Sequence, residues 1–457
     1  MKNYYAIVPL LIVFLFGISW YYVVSNHEEV QAKYNLLKVE FEKSMQERNT
    51  FVVHETYREL NELKPDFDLS LVYANYIKDN EDPGGYISVL NTIRDTYPFD
   101  SKAYEKIVEL YIGDEDYANA YSVINDARKN AVDMTKLSQY AKDMKYKYNT
   151  YLINGVGIHQ FSDEGITFVS TTVGDNYFFN YVNTTGESIS QSYSAITPFG
   201  NGFGGVVNSG KPQIINNEGK KIYEIGLPYI AFGPMGSNGA FATQLEDHSW
   251  IYLNKDFSKL FDKNVSRSFD YGSTFVNTSD GSQAAVKYDG SWKIINGQGE
   301  RSVKESYDTI YTDGLDRAIV ADRYFAIPLG GDKFKMYKTG GQAVCDKEFT
   351  LVNQFTSATS PTVVQIDGKN QFIDVDCNIV LNANAFEDAH PFSNGFAAVK
   401  RDGLWGYIDR SGNVVVDFAF AEAGGFSRSS TAFVVEKDRA DTGVLSVLNF
   451  YSTEFYR

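Results

Sequence analysis

Trp250, Trp292 and Trp405 are the side chains of this sequence best suited to stack on a sugar ring or a base. All three fall at the same place in a recurring pattern, so packing accounts for them before a ligand platform does. The histidines behave similarly: His159-Gln160-Phe161-Ser162 and His390-Pro391-Phe392-Ser393 coincide as repeat positions and read as turn or rim residues, while His27, His54 and His248 are scattered. Asp374-Val375-Asp376-Cys377-Asn378 opens like a calcium loop, but Ile379 stands where that loop needs glycine and Ala385 where it needs its last glutamate. A polar turn is the expected reading. Cys345 and Cys377 could bridge, although buried free thiols are the favoured state, and no CxxC spacing suggests zinc. With 58 acidic residues a carboxylate pair for glycoside hydrolysis is available, but it should sit where the repeat is broken, and no such pair stands out. No HExxH, GxSxG or GxxxxGK[ST] occurs. Catalytic, cofactor and metal residues are therefore unassigned, no cofactor is expected, ligand-binding residues are unknown, and an enzyme is not expected.

The elements that would position these residues come in three kinds. From Tyr4 to Val24 the chain carries no charge over 21 residues, enough to cross a hydrocarbon core as a helix, with Trp20, Tyr21 and Tyr22 as an interfacial belt. Lys2 precedes the stretch and Glu28 and Glu29 follow it, so the bulk of the chain is expected outside the cytoplasm. The alternative is a signal peptide cleaved near Ser25. A net charge of -16 repels phosphate backbones and argues against nucleic acid as a partner.

Residues 26–49 place Val30, Tyr34, Leu37, Phe41 and Met45 on one helical face and read as a stalk. Residues 50–148 then alternate helical runs with breaks, and self-comparison gives an offset of 34: Tyr86 to Asn91 lies over Ala120 to Asn125, and Asp66 over Asp100. That period resembles the tetratricopeptide repeat, with a generic antiparallel bundle as the alternative.

After Asn149 the period shortens to strand-like runs punctuated by Gly, Asn and Asp. Phe392 to Val416, FSNGFAAVKRDGLWGYIDRSGNVVV, parses as three strands joined by turns at Asp402-Gly403 and Ser411-Gly412. Taking Asp409 as an anchor at the end of the middle strand, equivalents stand at Asn183, Asn216, Asn254, Asn296, Lys338, Asp374 and Asn449. The interval averages 38 residues, and the two positions before each anchor are apolar or aromatic in all eight copies. Three residues after the anchor, glycine recurs at Gly186, Gly219, Gly299, Gly341 and Gly412.

Trp405-Gly406 in this setting resembles the WG-repeat family, whose members are bacterial repeat proteins without known catalysis. The resemblance extends over residues 150–457, with only this copy near consensus.

The expected architecture is thus multidomain: a cytoplasmic tip and transmembrane anchor (1–25), a helical stalk (26–49), a tetratricopeptide-like domain (50–148) and an all-β repeat domain (150–457). The last is expected to be an eight-bladed β-propeller closed by strand 151–158, with an open β-solenoid as the alternative. The expected function is that of a membrane-anchored binding or scaffold protein of the bacterial cell envelope, with a protein or cell-wall glycan as partner. A carbohydrate-active enzyme or lectin is the alternative.

Overall fold

The computed structural model describes residues 28–452, apart from 81–82, 158, 160, 163, 225–228, 262–268, 279–280, 312–319, 322–323, 339–341, 354, 356–358 and 429. The chain divides after Met144 into two compact units, helical and β.

The helical unit runs α1 (28–46), α2 (Thr50–Leu63), α3 (Phe67–Asn80), α4 (Pro83–Thr96), α5 (Ser101–Gly113), α6 (Tyr117–Lys129) and α7 (Thr135–Asp143). The starts of α3, α5 and α7 lie 34 residues apart, as do those of α4 and α6. Aspartates set these starts by accepting from free backbone N–H groups of the first turn: Asp66 from Leu69 (3.0 Å), Asp100 from Lys102 (2.9 Å) and Asp133 from Thr135 (2.9 Å). The buried faces repeat too. Tyr86, Leu90 and Ile93 of α4 correspond to Ala120, Ile124 and Ala127 of α6, all fully or nearly buried. Helix α1, expected as a stalk, packs into this unit: Phe41 is fully buried against the rings of Tyr57 (6.3 Å) and Tyr73 (6.4 Å), and the Tyr34 hydroxyl donates to Asp66 (3.1 Å).

In the β unit the anchors end matching strands. The residue two before each anchor, from Tyr181 to Val447, is buried in all eight copies. At Asp409 the carboxylate accepts the N–H groups of Ser411 and Asn413 (both 2.9 Å), pinning the turn. Asn183, Asn216, Asn296 and Asp374 make the same pair of bonds. The third residue after the anchor is left-handed at Gly186, Gly219, Gly299 and Gly412, and equally at Phe257 (φ 67°) and Cys377 (φ 64°), where no glycine signals it. Hairpins such as Asp402-Gly403 and Asp289-Gly290 have positive φ at both turn residues, which matches the strand twist.

The two ends of the β unit meet. Strand Tyr148–Leu152 pairs antiparallel with Leu445–Phe450, and the Asn449 side chain donates to the carbonyl of Thr184 (2.7 Å) in the first turn. Ile153, Phe161, Val169 and Val182 form one buried cluster with Phe433, Leu445 and Val447, so first and last repeats share a core.

The expected architecture needs correction in two respects. Eight separate blades are not found: among the described residues the strands form seven sheets, the last with seven strands spanning two repeats. The cause is the ten-residue strand Val414–Ala423, VVVDFAFAEA, which closes the seventh repeat and opens the eighth. It contains no Gly, Pro or Asn to break it, and bulges bend it instead. The transmembrane helix expected within residues 1–25 lies outside the described residues, and among those described no helix is long and apolar enough to cross a membrane.

Candidate functional site

The three tryptophans begin matching strands but differ in cover. Trp405 is 7% exposed, with the His390 ring 4.6 Å away. Trp250 and Trp292 are only half-buried, and Tyr271 stands between them at 6.0 and 5.3 Å. Tyr271, Lys287 and Trp292 are directly paired across three strands, so their side chains share one sheet face. Trp250 and Tyr271 wall a cavity of about 220 Å³, together with Thr197, Pro198, Ser273 and Thr274. Aromatic walls with hydroxyls between them can hold a small amphipathic ring, and this is the candidate site.

The floor of that cavity is rigid for a local reason. The Tyr252 hydroxyl donates to the carbonyl of Ser273 (2.6 Å), and Tyr181 donates to Thr197 (2.7 Å). Tyr407 makes the corresponding bond to Gly424 (2.9 Å). Burial pushes all three phenols well above their ordinary value, so they stay protonated donors. Each bond joins one repeat to the next. Asn201 and Asn394 add further links, donating to the carbonyls of Gly236 (3.0 Å) and Phe426 (2.7 Å). The sequence reading missed these, although Asn201-Gly202, Asn238-Gly239 and Asn394-Gly395 recur before a strand.

The other candidates resolve into structure. His159 stacks on Phe168 (3.9 Å), and Phe161 and Phe392 beside the paired histidines are buried. Burial holds His390 below its ordinary pKa, partly opposed by Asp388. His54 bonds Tyr73 in the helical unit (2.5 Å). The Asp374 carboxylate is spent on Asp376, Asn378 and the Asn378 amide (2.9, 2.8 and 3.0 Å), which makes it a turn, not a calcium loop. Cys345 and Cys377, favoured as free thiols, are bonded to each other. The bond joins two different repeats.

A second, more polar cleft of about 550 Å³ lies between the first two repeats, lined by Ser188, Ser190, Gln191, Asn208, Gln213 and Lys221. On the helical unit a charge cluster centres on Glu109. Burial alone would raise its carboxyl, but hydrogen bonds from Lys136 (2.6 Å), Tyr140 (2.6 Å) and Lys106 (3.1 Å) outweigh that and bring it to about 2. The cluster staples α5 to α7.

Residues 372–405 and 405–439 match the family model of the WG containing repeat. A search of curated proteins finds no match. Solved structures similar to the chain include BamB from Moraxella catarrhalis, with TM-score 0.38 and 12% identity over 66% of this chain and 96% of that one. The C-terminal WD40 domain of Sif2 is similar at TM-score 0.38 and 8% identity, over 66% and 98% of the two chains. KlHsv2 with loop 6CD replaced by a Gly-Ser linker gives 0.33 and 10%, over 66% and 100%. The chain therefore carries WG repeats across residues 372–439.

Proposed function

We propose that this chain is a binding or scaffold protein of the bacterial cell envelope, acting outside the cytoplasm and not as an enzyme. The supporting observation is the contrast among the tryptophans. Trp405 is sealed as a core residue, whereas Trp250 and Tyr271 leave an aromatic-walled cavity open beside backbone that the repeats hold rigid. The helical unit, with its 34-residue period like that of tetratricopeptide repeats, supplies a second surface for a protein partner. The location is supported by the Cys345–Cys377 bond, since disulfides persist mainly outside the cytoplasm, and by the charge-free stretch Tyr4–Val24, which suits export.

Within this reading the cavity favours a glycan, because a pyranose has one apolar face for an indole and hydroxyls for Thr197 and Thr274. Titrating soluble cell-wall glycan fragments while following tryptophan fluorescence tests it. Saturable quenching that Trp250→Ala abolishes is the expected result; no response up to millimolar fragment, or an undiminished response in that variant, sinks the glycan reading. Protease treatment of intact cells tests location: cleavage of residues 145–457 only after lysis would contradict it.

A further inference from the structure

At two seams a Cβ built on the left-handed glycine three residues after an anchor would strike an apolar side chain of the preceding repeat. At Gly299 it would meet Phe261 at 2.7 Å, and at Gly412 it would meet Leu381 at 3.0 Å. Phe261 and Leu381 each stand seven residues after their own anchors, Asn254 and Asp374. Glycine is small enough to lie beneath an apolar roof, and its left-handed backbone costs little.

Two of the left-handed positions three residues after an anchor carry a side chain in place of glycine, and both are paired. Where Phe257 replaces the glycine, its ring stacks on Tyr223 at 3.6 Å, and Tyr223 again stands seven after an anchor. Where Cys377 replaces it, the roof residue is Cys345, seven after Lys338, and the two are covalently joined. Both cysteines belong to one apolar cluster spanning the fifth and sixth repeats, with Met336, Phe349, Val364 and Ile373.

We propose that the Cys345–Cys377 bond is a redox-dependent clasp that closes the seam between the fifth and sixth repeats. Oxidised, the bond takes the place of the glycine-under-roof contact. Reduced, Cys377 keeps a backbone conformation that its Cβ disfavours, and the Cys345 thiol is too short to roof it as Phe261 or Leu381 would. This seam then becomes the one where the unit opens.

The chemistry is thiol–disulfide exchange with a protein dithiol oxidant. One cysteine thiolate attacks the oxidant's disulfide, giving a mixed disulfide. The second thiolate displaces the oxidant's sulfur, the two thiol protons pass to the oxidant's sulfurs, and the oxidant leaves as a dithiol carrying two electrons. Opening is the reverse, by a reduced dithiol. Cys345 is half-buried and Cys377 is 2% exposed, so the sulfur attacked is that of Cys345. Cys377 is then the leaving thiolate, and the Lys347 ammonium donates to its backbone carbonyl (2.9 Å).

Amide exchange of the whole chain, oxidised and then fully reduced by dithiothreitol with both thiols confirmed by alkylation, tests the clasp. Exchange at residues 343–349 and 373–381 is expected to accelerate roughly a hundredfold on reduction. The Tyr223–Phe257 seam is expected to stay unchanged. The double variant Cys345→Leu, Cys377→Gly restores the ordinary seam and is expected to match the oxidised chain with or without reductant. Unchanged exchange after complete reduction overturns the proposal. So does acceleration spread evenly over every repeat, which would make the bond a general staple.

Discussion

The helical and β units are both built by copying, yet their copies are held in different ways. In the helical unit the repeated marks are local: an aspartate at the starts of α3, α5 and α6 and a buried face at every fourth or third residue, as in Leu90 and Ile124. In the β unit the repeated marks reach across: Tyr181, Tyr252 and Tyr407 each bond the backbone of the next repeat, and Asn449 returns to Thr184 in the first. The series of helices has two ends, whereas the β series closes through Tyr148–Leu152 against Leu445–Phe450. Damage to one helix pair should therefore stay near its site, and damage to one β repeat should be felt round the unit.

The largest expected effect breaks that contrast most sharply. Tyr407→Ala removes a fully buried ring and its link to Gly424, and should destabilise the β unit by about 3–5 kcal/mol. Leu90→Ala should destabilise the helical unit by about 2–5 kcal/mol. Denaturant melts followed separately by near-UV aromatic and far-UV helical signals check this. The first variant is expected to shift the β transition as a whole and the second to broaden the helical one. Tyr252→Phe isolates the link itself: it keeps the ring, leaves the Ser273 carbonyl without its donor, and should cost about 1–3 kcal/mol. Asp100→Ala removes a cap exposed to water and should cost about 1 kcal/mol, read in the helical melt alone.

Acid separates the units further. His390 is held below its ordinary 6.5, so the folded β unit binds fewer protons than the unfolded chain. Its contribution is complete above pH 6.5 and declines as pH falls below that value. Glu109 is held at about 2 against an ordinary 4.5, so its contribution to the helical unit is complete above pH 4.5 and is lost between there and pH 2. Stability measured against pH should show the β unit weakening first. His390→Gln should flatten the upper step, and Glu109→Gln the lower one.

What was legible in the sequence follows the same division. The anchors, the buried residue two before each and the 34-residue helical offset are local patterns of residue type, and each stands where the pattern placed it. Contacts between copies were not legible, because a period gives the length of a unit without saying which faces of neighbouring units meet. The Cys345–Cys377 bond, the stacking of Tyr223 on Phe257 and the cavity beside Trp250 are all of that kind. The left-handed backbone at Phe257 and Cys377 was hidden for a related reason: glycine normally announces it, and here contacts with the preceding repeat accompany it instead. The merging of the last two sheets was hidden because Val414–Ala423 lacks a breaker whose absence becomes meaningful only once the strand is seen to run through.

Closure of the β unit by its own amino-terminal strand is most directly tested by native-state amide exchange on the intact chain. Amides of Tyr148–Leu152 that point into the ladder should exchange as slowly as those of Leu445–Phe450 and Thr431–Glu436, through one shared opening. Rapid exchange along Tyr148–Leu152 while Leu445–Phe450 stays protected would contradict closure.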